Sequence, residues 1–123
     1  MLNAKIVVVE DEKSIRTFMG NALTYSVDRE VKTFESGIAA WNYMKEYTDF
    51  HIVISDVDMP GMSGLELLKK IKELFPDRIF IIMSGNPLNE DSALELGADG
   101  FLAKPFKLKD LFEIVKLFLN DNN

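Results

Sequence analysis

Residues 51–64 read HIVISDVDMPGMSG, and this stretch decides the fold. The run Ile52-Val53-Ile54 is apolar and β-branched, and it ends in Ser55-Asp56 before Met59-Pro60-Gly61 breaks the chain. Such a run bounded by turn residues reads as a buried strand. A strand buried on both faces suits a parallel sheet. In open parallel sheets the chemistry lies beyond the carboxyl ends of the strands. Asp56 is expected at that edge.

Working outward, Lys5 to Val9 predicts a first strand closed by Glu10-Asp11-Glu12. Ile15, Phe18, Met19, Ala22 and Leu23 then follow the stripe of a helix with one buried face. Glu30 to Phe34 predicts a weaker strand, and Ser36 an N-cap for a helix that turns Ala40, Trp41 and Met44 inward. Beyond the central strand, Ser63-Gly64-Leu65-Glu66 has the form of a capping box. Its helix carries Leu67, Leu68, Ile71, Leu74 and Phe75 on one side. Ile79 to Met83 is a fourth strand. Asn86-Pro87 is expected to cap and start a short polar helix that Gly97 ends. Gly100 to Ala103 is a fifth strand, and Leu108 to Leu119 a last helix with Leu108, Leu111, Phe112, Val115 and Leu119 inward. This alternation implies right-handed crossovers. The expected fold is α/β, a flavodoxin-like (βα)5 doubly wound parallel sheet of order 2-1-3-4-5.

The chain has 123 residues, 47% of them apolar, which suits one domain with a real core and argues against disorder. It is expected to be a single domain over 1–123, with its core at about 5–119 and no output domain. The absence of cysteine excludes disulfides and thiolate metal sites. A net charge of −6 speaks against nucleic acid binding by this chain alone. With no signal peptide and no membrane-length apolar run, a cytoplasmic location off the membrane is expected. There is no G-x-x-x-x-G-K-[ST] loop, so nucleotide hydrolysis has no support.

The residues at the strand ends carry the chemistry. They are Glu10 and Asp11 after the first, Asp56 at the third, Ser84 at the fourth and Lys104 after the fifth. Taken singly, Asp11 reads as a helix cap, Ser84 as a turn residue and Lys104 as a solvated lysine. Jointly they converge on one edge of the predicted sheet. Two carboxylates at roughly 4 Å repel by about 4 kcal/mol at an effective dielectric near 20. A divalent cation relieves this, and magnesium suits a few carboxylates with phosphate oxygens and water. With a lysine and a hydroxyl added, the set suits a phosphoryl group on an aspartate. The lone His51 and Trp41 read as a strand-flanking residue and a core residue.

Val9-Glu10-Asp11, Ser55-Asp56-Val57-Asp58-Met59-Pro60, Gly64-Leu65-Glu66-Leu67-Leu68, Met83-Ser84-Gly85, Gly97-Ala98-Asp99 and Lys104-Pro105-Phe106 occur in that order. By this set, from about Lys5 to Leu119, the chain resembles the receiver domains of two-component response regulators, close to the chemotaxis response regulator type. The resemblance implies that Asp56 takes a phosphoryl group from a phosphohistidine on a histidine kinase or phosphotransfer protein. It implies Mg²⁺ held by Asp11, Asp56 and the backbone carbonyl of Asp58, with Glu10 acting through water. It further implies that Lys104 pairs with phosphoryl oxygens before a cis bond to Pro105, and that Ser84 and Phe101 switch. Asp58 and Asn86 would tune dephosphorylation, and the 86–119 face would meet a target or a second copy. Glu10 stands where aspartate is commoner, Ser84 where threonine is, and Phe101 where tyrosine is. An alternative is a haloacid dehalogenase-like phosphatase using Asp56 and Asp58 as D-x-D, although here the acidic pair precedes the nucleophile and no cap fits. A receiver-like module that never uses phosphate has no motivation from these residues.

Overall fold

The computed structural model describes residues 3–119. Strands β1 (Ile6–Val9), β2 (Val31–Phe34), β3 (Ile52–Asp56), β4 (Ile79–Ser84) and β5 (Gly100–Ala103) alternate with helices α1 (Lys13–Ser26), α2 (Gly37–Glu46), α3 (Gly64–Leu74), α4 (Asn89–Glu95) and α5 (Leu108–Leu119). All strands pair in parallel in the order β2-β1-β3-β4-β5, as expected from the sequence.

The apolar runs conceal an alternation that only the two-sided core reveals. Val7, Val9, Val53, Phe80 and Ile82 point to one face, where Ala40 and Met44 of α2, Leu67, Leu68 and Ile71 of α3 and Ala93 of α4 cover them. Ile6, Val8, Ile52, Ile54, Ile81 and Met83 point to the other, beneath Met19 and Leu23 of α1 and Leu111, Val115 and Leu119 of α5. Successive side chains of a strand face opposite ways, so both faces need apolar residues when both are covered. β2 is an edge strand, and Lys32 and Thr33 at its centre are exposed.

The caps agree with the sequence in two helices. Ser36 Oγ accepts from Ala39 N–H at 3.1 Å, and Ser63 Oγ accepts from Glu66 N–H at 3.2 Å while Glu66 Oε1 takes Ser63 N–H. Three expected inward residues are exposed instead: Phe18 at 50%, Leu74 at 59% and Leu108 at 39%. Phe18 lies about 100° around α1 from the buried Met19 and further from Leu23, so it falls on the flank. Leu74 and Leu108 are the last and first residues of their helices, where no further turn helps to cover them.

The fourth helix also starts later than Pro87. Asn86 Oδ1 accepts Leu88 N–H, and the Asn86 carbonyl accepts Asn89 N–H, each at 3.0 Å. Asn86 thus builds a side-chain-closed turn, and the helix begins at Asn89. Gly97 ends it at φ +99°, a conformation open to glycine at little cost. His51 and Trp41 are structural. His51 Nδ1 accepts Lys5 N–H at 3.0 Å, and Trp41 packs half-buried on the core beside Met44. No helix among the described residues is long and apolar enough to cross a membrane.

Candidate functional site

Parallel register sets which residues share the carboxyl edge. Val9 lies beside Ser55, Asp56 beside Met83 and Ser84 beside Ala103, so Glu10 and Lys104 emerge just past this row. Asp56 is held by the turn between β3 and α3. The Gly64 N–H donates to the Val57 carbonyl at 2.9 Å, and a Cβ on Gly64 would collide with the Asp56 carbonyl oxygen. The glycine that opens α3 is therefore what lets the helix start directly against the central strand.

Glu10, Asp11 and Asp56 each present a carboxylate oxygen within 4.8 Å of the others. Lys104 Nζ lies 2.8 Å from Glu10 Oε1 and 3.1 Å from Asp56 Oδ2. Glu10 and Asp56 are buried at 1% and 7% exposure, while Asp11 is exposed. Burial pushes the carboxyls of both Glu10 and Asp56 above their ordinary range, and Lys104 pulls them partly back. Burial alone would lower Lys104, yet its bonds to Glu10 and Asp56 hold it above its ordinary value. One ammonium thus offsets two buried carboxylates, with a third at the rim. This excess negative charge fits a small divalent cation bound through oxygen.

The acidic loop is fixed by groups that carry no signal in the sequence. Arg16 Nη1 donates to the Glu10 carbonyl at 2.9 Å and to the Asp11 carbonyl at 3.4 Å, and Glu12 N–H donates to Glu10 Oε2 at 3.2 Å. Position N-cap of α1 is Glu12, with no side-chain cap bond, so Asp11 is not the helix cap that it resembles in isolation. An arginine one turn into a helix has no pattern that distinguishes it from a solvated one, so nothing in the sequence marks Arg16.

Of the other expected site residues, Asp58 is exposed and its backbone bonds to the Asp56 carboxylate. Ser84 is buried, but its hydroxyl is engaged by its own loop: Oγ accepts from Asn86 N–H at 3.0 Å and from Asn89 Nδ2 at 2.9 Å. The side-chain carbonyl of Asn86 is committed to Leu88 N–H. Phe101 is half-buried on β5, packed on the α2–α4 side of the core. The Lys104-Pro105 bond is cis. Beside Lys104 an open cavity of about 470 Å³ is lined by Ile15, Phe18, Gly85, Pro105 and Phe106.

Comparison with known proteins accounts for this arrangement. Residues 6–116 match the family model described as response regulator receiver domain. The chain is 30% identical to the chemotaxis protein CheY1 of Helicobacter pylori over 97% of its own length and 99% of that protein's. It is 36% identical to the transcriptional regulator NtrC of Azospirillum brasilense, of which it spans only 25%. Among solved structures, a BeF3-activated receiver domain of DrrB superposes with a TM-score of 0.85 at 34% identity, covering 95% of this chain and 97% of that one. The phosphatase alternative finds no support in these relatives, and the edge built from Glu10, Asp11 and Asp56 is that of a phosphoacceptor switch rather than a true enzyme. The chain belongs to the response regulator receiver domain family, the phosphoacceptor domains of two-component signalling.

Proposed function

We propose that Asp56 is the acceptor and that Glu10, Asp11, Ser84 and Lys104 serve it. The observation that carries this reading is the bridging of Glu10 and Asp56 by Lys104 at the end of the central strand. Mg²⁺ would be held by Asp11, Asp56 and the Asp58 carbonyl, with Glu10 acting through water, and would supply positive charge toward phosphoryl oxygens.

One Asp56 carboxylate oxygen attacks phosphorus as the P–N bond of a phosphohistidine breaks. The electron pair returns to the imidazole nitrogen, which takes a proton from solvent. Lys104 then moves from Asp56 to the phosphoryl oxygens, a charge-assisted contact. Ser84 donates its hydroxyl to the same group once it leaves its loop. Phe101 moves inward as Ser84 turns toward the phosphoryl group, and the 86–119 face carries the change to a target or a second copy. Asp58 and Asn86 at the rim set how fast water removes the group.

The donor is a histidine kinase or phosphotransfer protein. The apolar cavity beside Lys104, with Phe18 at its rim, supports docking of the donor against α1 and the Lys104–Phe106 segment. Residues 5–119 act as one receiver unit, in the cytoplasm where such donors present phosphohistidine. The test is labelling with acetyl phosphate and Mg²⁺. Wild type takes up label and Asp56→Asn takes up none; stoichiometric labelling of the variant overturns the assignment.

A further inference from the structure

Ser84 is 1% exposed, and its hydroxyl has no bonding capacity left. Its oxygen accepts from Asn86 N–H at 3.0 Å and from Asn89 Nδ2 at 2.9 Å, and it donates to the Asn86 carbonyl at 3.3 Å. A hydroxyl offers one donor and two acceptor sites, and all three are used within the loop from β4 to α4. The same Asn86 carbonyl receives Asn89 N–H, so Ser84, Asn86 and Asn89 form a closed set. Of these contacts only the one from Asn89 Nδ2 is made by a replaceable side chain. Asn89 is the first residue of α4 and half-buried, so its amide is bound at the point where strand hands over to helix.

For Ser84 to donate to a phosphoryl oxygen on Asp56, its proton must leave the Asn86 carbonyl and its oxygen must leave the Asn89 amide. We propose that Asn89 is a positioning residue: its side-chain amide latches Ser84 in the unphosphorylated arrangement and so sets how tightly the site takes a phosphoryl group. The proposal rests on the phosphoacceptor reading above. A contact present only in the resting state opposes the switched state by its own strength. The latch also ties release of Ser84 to the first turn of α4, because one residue supplies both the amide that holds the hydroxyl and the N–H that opens the helix.

The experiment is titration of wild type, Asn89→Leu, Ser84→Ala and the double variant with beryllofluoride in saturating Mg²⁺, monitored by amide and side-chain NMR. Leucine keeps the branched outline of asparagine and removes the donor. Loss of one neutral hydrogen bond should tighten binding by Asn89→Leu about two- to tenfold. In the Ser84→Ala background the same substitution should change affinity by less than about twofold, since the latch has nothing to hold. The Asn89 side-chain amide resonances of wild type should move on saturation. Equal or weaker binding by Asn89→Leu, the same tightening in both backgrounds, or unmoved Asn89 resonances would each overturn the latch. Absence of any Mg²⁺-dependent binding by wild type would overturn the phosphoacceptor reading itself, and the latch with it.

Discussion

Asp56 and Glu10 stand on either side of one ammonium, and burial raises both carboxyls above their ordinary values of 3.8 and 4.5. A raised native pKa means that the folded chain binds more protons than the unfolded one above these values. This contribution to stability is therefore present in acid and is lost as pH rises through the raised native values. Metal-free Asp56→Asn should be more stable than wild type near neutral pH, by on the order of 1 kcal/mol. The advantage should shrink toward pH 4 and reverse once saturating Mg²⁺ binds wild type. Thermal unfolding at pH 4 and 7, with and without Mg²⁺, checks this; a variant less stable at pH 7 without metal would contradict it. In the proposed reading Asp58, exposed and two residues on, orients attacking water through its carboxylate. Asp58→Ala should slow loss of the phosphoryl group several-fold after donor removal. Equal or faster decay rejects that role.

The elements were legible where burial is symmetrical and obscure where it is not. Central strands such as Ile52–Asp56 are buried throughout, so the apolar run sufficed. The capping box at Ser63 and the breaker at Gly97 are local chemistry and stood out for the same reason. Phe18, Leu74 and Leu108 fit their helical stripes but are exposed, because periodicity gives an angle and not the distance to a covering neighbour. The carboxyl-edge residues could be named from strand ends alone, since parallel register brings strand ends together. The roles of Arg16, Asn89 and Gly64 could not be named, because each acts through a backbone or hydroxyl contact that exists only after folding. The exposure of Phe18 has a consequence for α1. Phe18→Asp should reduce phosphotransfer from a kinase found by profiling by roughly tenfold or more, the scale of losing a buried aromatic anchor. Labelling by acetyl phosphate should be unchanged. A parallel loss with both donors would place Phe18 in the fold and not in docking.

At the scale of the whole molecule, the site and the proposed output face share one sheet. Ser84 ends β4 and Lys104 lies just past β5, and β5 packs against both α4 and α5. On the outer side Leu117 is 69% exposed and Leu88 80%, whereas Ile114 is half-buried and covers Gly100 at the start of β5. Activation with beryllofluoride should therefore shift amide resonances across 86–119 as well as around Asp56; shifts confined to the pocket would remove this face as the output. In the proposed reading both the switch and its output depend on one covalent event at one carboxylate. The most direct test is to phosphorylate the intact protein with acetyl phosphate and Mg²⁺, reduce the acyl phosphate with borohydride, and map the modified peptide. An aspartyl phosphate is reduced to homoserine, so homoserine at position 56 alone is the predicted result. Homoserine at position 11 or 58, or none under conditions that label the chain, would contradict it.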